Sequence, residues 1–195
     1  MHCAIVHYHE LALKGRNRDF FEQRLVRNIR LALKDLKIRR IESLQGRIRV
    51  TIPEDVTPDL VTERLRRICG VSNFLLSESV PLDLREPDLT LIKQVAQHQL
   101  SEQTFNSFRV TAKRADKRLP LTSMDVEREV GGYLHEATGK AVKLKQPDLT
   151  LYIELLTKEA HVAARKIQGP GGMPVGTSGK VACLTGFLPA NRFPL

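Results

Sequence analysis

From Cys3 to Tyr8 the chain is mostly apolar over a length that suits one strand. Between Asn17 and Leu36, Phe21, Leu25, Ile29, Leu33 and Leu36 recur at spacings of four, four, four and three, which places them on one face of a helix. Lys37 to Ile41 and Arg47 to Ile52 read as two strands joined around Gln45-Gly46, and in the second Ile48, Val50 and Ile52 alternate with Arg47, Arg49 and Thr51. That alternation describes a hairpin with one buried face. Thr57-Pro58 supplies an N-cap and first-turn pair, Val61, Leu65 and Ile68 an apolar stripe, and Gly70 a stop. Asn73 to Val80 closes this part as a strand. The order β-α-β-β-α-β is that of a ferredoxin-like unit.

A second unit follows. Pro87-Asp88 opens a helix that runs to about Leu100. Phe108, Val110 and Ala112 alternate with Arg109, Thr111 and Lys113 as a strand, and Thr122 or Ser123 caps a helix bearing Val126, Val130 and Leu134, with Gly139 as its stop. Leu149, Leu151, Ile153 and Leu155 share one strand face, and Val162 to Ile167 forms the last strand. From Gly169 to Gly179 the chain turns to glycine and proline and reads as a linker, with a phosphate-binding turn as the alternative. The fold class is therefore α+β: a ferredoxin-like domain over 1–80, a second α/β domain over 81–168, and a Gly/Pro-rich linker and tail over 169–195.

Composition narrows the classes. With 195 residues and 42% hydrophobic side chains, the chain can build a core without disulfide or metal staples. No apolar run approaches the ~18 residues of a membrane span, and Met1 to Glu10 lacks the layout of a secretory signal, so a cytoplasmic location is expected. The three cysteines, Cys3, Cys69 and Cys183, form no C-x-x-C pair and encode neither a disulfide framework nor a zinc knuckle. His7 and His9 alone do not make a metal site. The Gly-rich stretch fails both phosphate-loop patterns, since position 174 is proline and 181 valine. No catalytic constellation, metal site or cofactor site is expected within the chain.

The charge is more informative. The net charge is +9, and the excess concentrates in two places. On a helical wheel Arg24, Arg27, Arg30, Lys34 and Lys37 fall within about 140° opposite the apolar stripe, which suits a phosphate contact or simply a solvated surface. Residues 109–118 hold five cations, Arg109, Lys113, Arg114, Lys117 and Arg118, against one anion, Asp116. That density suits RNA or another polyanion, because each phosphate neutralised releases counterions; a solvated loop is the alternative. Gly131-Gly132 inside a helix costs roughly 1 kcal/mol per residue relative to alanine, which implies close approach of a neighbouring strand or of a nucleic-acid backbone. The strand 46–52 lacks the stacking aromatics of single-stranded RNA binders, so recognition by shape, phosphate and 2′-OH is expected.

Four motifs in order, Glu10-Leu-Ala-Leu-Lys-Gly-Arg-Asn-Arg18, Ser123-Met-Asp-Val-Glu-Arg-Glu-Val-Gly-Gly132, Lys145-Gln-Pro-Asp-Leu-Thr150 and Gly169-Pro-Gly-Gly-Met-Pro-Val-Gly-Thr177, resemble the N-terminal part of the tRNA 4-thiouridine synthases, also known as thiamine-biosynthesis sulfurtransferases. The resemblance covers about residues 3 to 184. It implies a ferredoxin-like domain and a THUMP RNA-binding domain that hold the tRNA acceptor end. In the complete family enzyme a following PP-loop domain uses ATP to activate the uridine, and a cysteine desulfurase delivers the sulfur; the same enzymes supply sulfur for thiazole in thiamine synthesis. By position it makes Lys14, Arg16, Arg109, Lys113, Arg114 and Lys117 candidates for RNA contact, and Arg118 joins them from the charge pattern. After Leu184 the family continues into Ser-Gly-Gly-x-Asp-Ser, whereas this chain reads Thr185-Gly-Phe-Leu-Pro-Ala-Asn-Arg-Phe-Pro-Leu195. The expectation is a tRNA-binding portion without PP-loop or catalytic cysteines, inactive alone, through truncation or a frameshift. A stand-alone THUMP-type protein and an enzyme that needs a separate nucleotide domain are the alternatives. Oligomeric state is left open.

Overall fold

The computed structural model describes residues 1–8, 17–38, 40–44, 46–83, 85–116 and 119–179. Its elements run β1 (His2–His7), α1 (Arg18–Ala32), β2 (Ile41–Leu44), β3 (Arg47–Thr51), α2 (Pro58–Leu65), β4 (Asn73–Pro81), α3 (Thr90–Ser101), β5 (Ser107–Arg114), α4 (Ser123–Thr138), β6 (Ala141–Val142), β7 (Leu149–Leu155) and β8 (Glu159–Gln168). The first six form the expected split βαβ unit, with β3 between β2 and β1 and every pairing antiparallel. In the second unit β5 lies parallel to β6 and β7, and β7 returns antiparallel into β8.

The two units share one eight-stranded sheet, β2-β3-β1-β4-β8-β7-β5-β6, because β4 pairs antiparallel with β8. A register shift interrupts that seam: the step from Leu76 to Glu78 on β4 is matched by the longer step from Arg165 to Val162 on β8. Such a bulge reverses the facing of the residues beyond it. Arg165 thereby reaches toward Asp59 of α2 at 3.7 Å, and Lys166 lies over the Tyr152 ring, 5.5 Å from its centroid.

All four helices cover the same side of the sheet. Ala4, Val6, Ile48, Val50 and Phe74 pack under α1 and α2 with Leu25, Ile29, Val61 and Leu65. Val110, Ala112, Leu151, Ile153, Ala160 and Val162 pack under α3 and α4 with Ile92, Ala96, Leu100, Val126, Val130 and Leu134. The alternate strand positions form the other face, where Ile5, Leu75, Ala163 and Tyr152 make a small apolar centre.

Several local expectations shift. The first helix ends at Ala32, and after a short 3₁₀ turn Lys37 takes a left-handed conformation at φ 53°. That reversal moves β2 to Ile41–Leu44 rather than Lys37–Ile41. Pro58 opens α2, but the Thr57 side chain makes no capping hydrogen bond. Thr122 does cap α4, in a reciprocal box with Asp125, and Gly139 ends it at φ 67°. The short edge strand β6 went unpredicted. Gly131 packs near β5, where an added Cβ would meet Val110 at 3.8 Å, whereas one on Gly132 would meet nothing within 4 Å.

The glycine-proline segment also departs from the reading as a linker over its described part. Gly169 N–H donates to Ser72 O (2.9 Å), Gly171 N–H to Val71 O (2.7 Å) and Gly70 N–H to Gly171 O (2.7 Å). Met173 packs against the first core, and Asn28 of α1 donates to Val175 O at 3.1 Å. The segment is a strap over the first unit. A Cβ on Gly169 would sit 2.3 Å from Val71 O, so glycine is required there by contact. Among the described residues no helix is long and apolar enough to cross a membrane.

Candidate nucleic-acid interface

The sheet face turned away from the helices carries most of the charge chemistry. Arg47 of β3 ion-pairs with Glu154 of β7 at 2.5 Å, although β1, β4 and β8 lie between them. In a flat sheet four strand spacings of ~4.8 Å would separate the two by roughly 19 Å, beyond the reach of both side chains. The face must therefore be concave. Glu154 is 3% exposed and also receives His7 Nε2 at 2.8 Å, while His7 Nδ1 lies 3.0 Å from Asn73 Oδ1. Burial alone would raise the Glu154 pKa, but the His7 hydrogen bond and the charges of His7, Arg47 and Lys113 hold its carboxyl below the usual range.

A second buried group adjoins it. Arg49 binds both Glu42 and Glu159. His161, fully buried, has Nδ1 3.3 Å from Ser77 Oγ and Nε2 3.3 Å from Glu159 Oε1 but without hydrogen-bond geometry. Burial pushes the His161 pKa down. These groups join the two units, and their cations are already neutralised.

The far side of the concavity differs. Lys113 on β5 and Lys166 on β8 are exposed and border a cleft of about 130 Å³ with His7, Tyr8, Asn73 and Tyr152. Tyr8 donates to Glu22 at 2.5 Å, and burial, with that bond, pushes its hydroxyl up to about 12. Next along β5, Arg109 is half-buried and donates through Nη1 to Leu144 O at 3.2 Å. Beyond it the β6–β7 turn carries exposed Lys143 and Lys145. Among the described residues no carboxylate ion-pairs with Lys113, Lys143, Lys145 or Lys166. Exposed cations not drawn into close ion pairs along one edge of a concave face form a surface for polyanion phosphates.

The predicted site residues divide accordingly. Arg109 and Lys113 come together on this face. Arg114 follows them on the strand but is engaged, its Nη1 donating to Leu119 O (3.1 Å) and Leu121 O (2.9 Å) to brace the loop ahead of α4. Lys14, Arg16, Lys117 and Arg118, like Cys183, lie outside the described residues. The basic face of α1 is on the helical side, away from β5; there Arg27, Lys34 and Lys37 are exposed and Arg30 donates to Ile41 O. The charge pattern passed over Lys143 and Lys145, which stand with Lys140 in Lys140-Ala-Val-Lys-Leu-Lys145, and Lys166, which follows Arg165, because two or three cations in a short run are less dense than the five of 109–118; only Lys145 fell in a recognised motif. Among the described residues no cluster of metal-ligating side chains forms.

Comparison with known proteins identifies the two units. The ThiI ferredoxin-like domain family matches residues 3–74 and the THUMP domain family residues 86–164. The chain carries a ThiI ferredoxin-like domain followed by a THUMP domain. A "Probable tRNA sulfurtransferase" of Moorella thermoacetica is 37% identical over 90% of this chain and 44% of its own length. Its counterpart in Thermus thermophilus is 38% identical over 91% of this chain and 42% of its own length. The chain thus spans less than half the length of these curated relatives. Among solved structures, PH1313 from Pyrococcus horikoshii superposes with a TM-score of 0.79 at 31% identity, covering 90% of this chain and 58% of that one. A 4-thiouridine synthetase solved as an RNA complex with bound ATP superposes with a TM-score of 0.74 at 28% identity, over 92% of this chain and 45% of that one.

Proposed function

We propose that these two domains are the RNA-holding portion of an ATP-dependent tRNA sulfurtransferase that forms 4-thiouridine and supplies sulfur for thiazole in thiamine synthesis. The observation that carries the reading is the exposed lysines Lys113 and Lys166, which form no close ion pair among the described residues, at a cleft on one concave face, with Arg109 next along β5. A tRNA acceptor region seats there through phosphate and 2′-OH contacts, mostly independent of base identity. The domains supply no reacting group; ATP chemistry and persulfide transfer from a cysteine desulfurase belong to the complete enzyme, in the cytoplasm. The similarity to a synthetase solved with RNA supports this reading.

The test is a titration of the chain with tRNA, an acceptor-stem duplex and an unstructured polyphosphate at several salt concentrations. Log affinity for tRNA is expected to fall linearly with log salt at a slope of several units, ~0.9 per phosphate contact, with tRNA preferred over the polyphosphate. Equal affinity for all three would reduce the surface to a nonspecific polyanion patch.

A further inference from the structure

The β6–β7 turn holds an apolar side chain out into solvent. Leu144 is 75% exposed, more than any other large hydrophobic side chain among the described residues, and Val142 beside it is 46% exposed. Its exposure is built in, because the turn is pinned along its length. Lys143 N–H donates to Phe108 O at 2.9 Å, and Arg109 Nη1 holds the Leu144 carbonyl at 3.2 Å. The Asp148 carboxylate accepts Asn106 N–H (3.0 Å) and Ser107 N–H (2.9 Å). Gln146 takes a left-handed conformation at φ 48°, which costs a non-glycine residue of order 1 kcal/mol and is retained where the surroundings over-determine it. Lys143 and Lys145 flank the leucine, and the nearest acid in sequence, Asp148, is occupied by the backbone.

A polyanion site that worked by charge alone would have no use for a fixed leucine between two lysines. We infer that this turn enters the shallow minor groove of an RNA duplex, with Leu144 against ribose carbons and Lys143 and Lys145 reaching the phosphates on its two rims. The A-form minor groove is wide, shallow and lined by sugars, whereas that of B-form DNA is narrow, about 6 Å. The turn therefore distinguishes RNA from DNA by groove shape. This inference rests on the RNA-binding reading above and assigns its duplex contact to a turn outside the Lys113 cluster.

The test compares the unmodified chain, L144N, L144M and K143A/K145A on a short RNA duplex and the DNA duplex of the same sequence, at several salt concentrations. The unmodified chain should prefer RNA. L144N, which removes the apolar contact without changing charge, should lower RNA affinity about tenfold, as loss of one buried leucine contact would, leaving the salt slope and DNA affinity unchanged. L144M should bind like the unmodified chain, and K143A/K145A should flatten the RNA slope by about two units. If L144N binds RNA as well as the unmodified chain, or loses RNA and DNA equally, the inference fails while the RNA reading stands. If the unmodified chain binds neither duplex nor tRNA, both fail. A change in sedimentation of free L144N would make the turn a contact between copies of this chain and overturn the inference.

Discussion

On β3, Arg47 and Arg49 alternate with Ile48 and Val50; on β5, Arg109 and Lys113 alternate with Val110 and Ala112. Both sets of cations leave the sheet on the side away from the helices, and in sequence they are indistinguishable as half-buried strands with a basic outer face. Their surroundings separate them. Arg47 and Arg49 reach across the concavity to Glu154 and Glu159, whereas Lys113 stands exposed at the cleft edge. A desolvated, carboxylate-paired cation holds two chain segments in register and has little charge left to offer. An exposed one without an ion-pair partner costs the fold nothing and remains available to a phosphate. Position on the sheet, rather than residue type, decides which role a cation takes.

The largest expected effect breaks the paired side of that comparison. Glu154→Gln removes the charge that neutralises Arg47 and faces His7 while keeping the shape. Leaving a cation uncompensated in a buried site costs ~3–5 kcal/mol, and urea unfolding should show a loss in that range. A loss below about 1 kcal/mol would mean that water already screens the network and that the contrast with β5 is one of degree.

Acid should act on the same network. The His161 pKa lies below its ordinary value of 6.5, so the unfolded chain takes up its proton first and stability declines as pH falls below about 6.5. The Glu154 pKa lies below 4.5, so the stability it contributes is present above that pH and is lost as pH falls further. Charged His161 would face Arg49 beside it, with Glu159, Glu154 and Ser77 as its other polar neighbours. Melting temperatures from pH 8 to 2 should fall in two stages, and His161→Gln should remove the upper stage. A flat profile between pH 6.5 and 5 would show that His161 does not resist protonation.

Much of the fold was legible because it is written locally. The helical stripe of Leu25 and Ile29, the alternation of Ile48 and Val50, and the Pro58, Thr122 and Gly139 signals each depend on a few neighbouring residues. The merger of the two units was not legible: β4 and β8 each read as strands, but nothing within either names a partner some 80 to 95 residues away. The strap escaped for a related reason, since Gly169 and Gly171 suit a flexible linker as well as a backbone laid against Val71. In the site, charge density found Arg109 and Lys113 but could not separate them from Arg114. It also missed Lys166, which reaches this face through the β8 bulge.

Arg114 and Lys113 therefore give the finest form of the comparison, within one strand. Adjacent residues on a strand point to opposite faces, and here one points to the cleft and the other to the loop ahead of α4. Arg114→Ala releases the carbonyls of Leu119 and Leu121 and should cost about 1–2 kcal/mol, the range of hydrogen bonds from a charged donor, with the salt slope of RNA binding unchanged. Lys113→Ala should leave stability within ~0.5 kcal/mol, as exposed substitutions do, yet flatten that slope by about one unit. Denaturant midpoints and affinity against salt, measured on both variants, separate the roles. The reverse pattern, with Arg114→Ala flattening the slope and Lys113→Ala destabilising the fold, would move the phosphate contact from the sheet face to the loop and make β5 resemble β3.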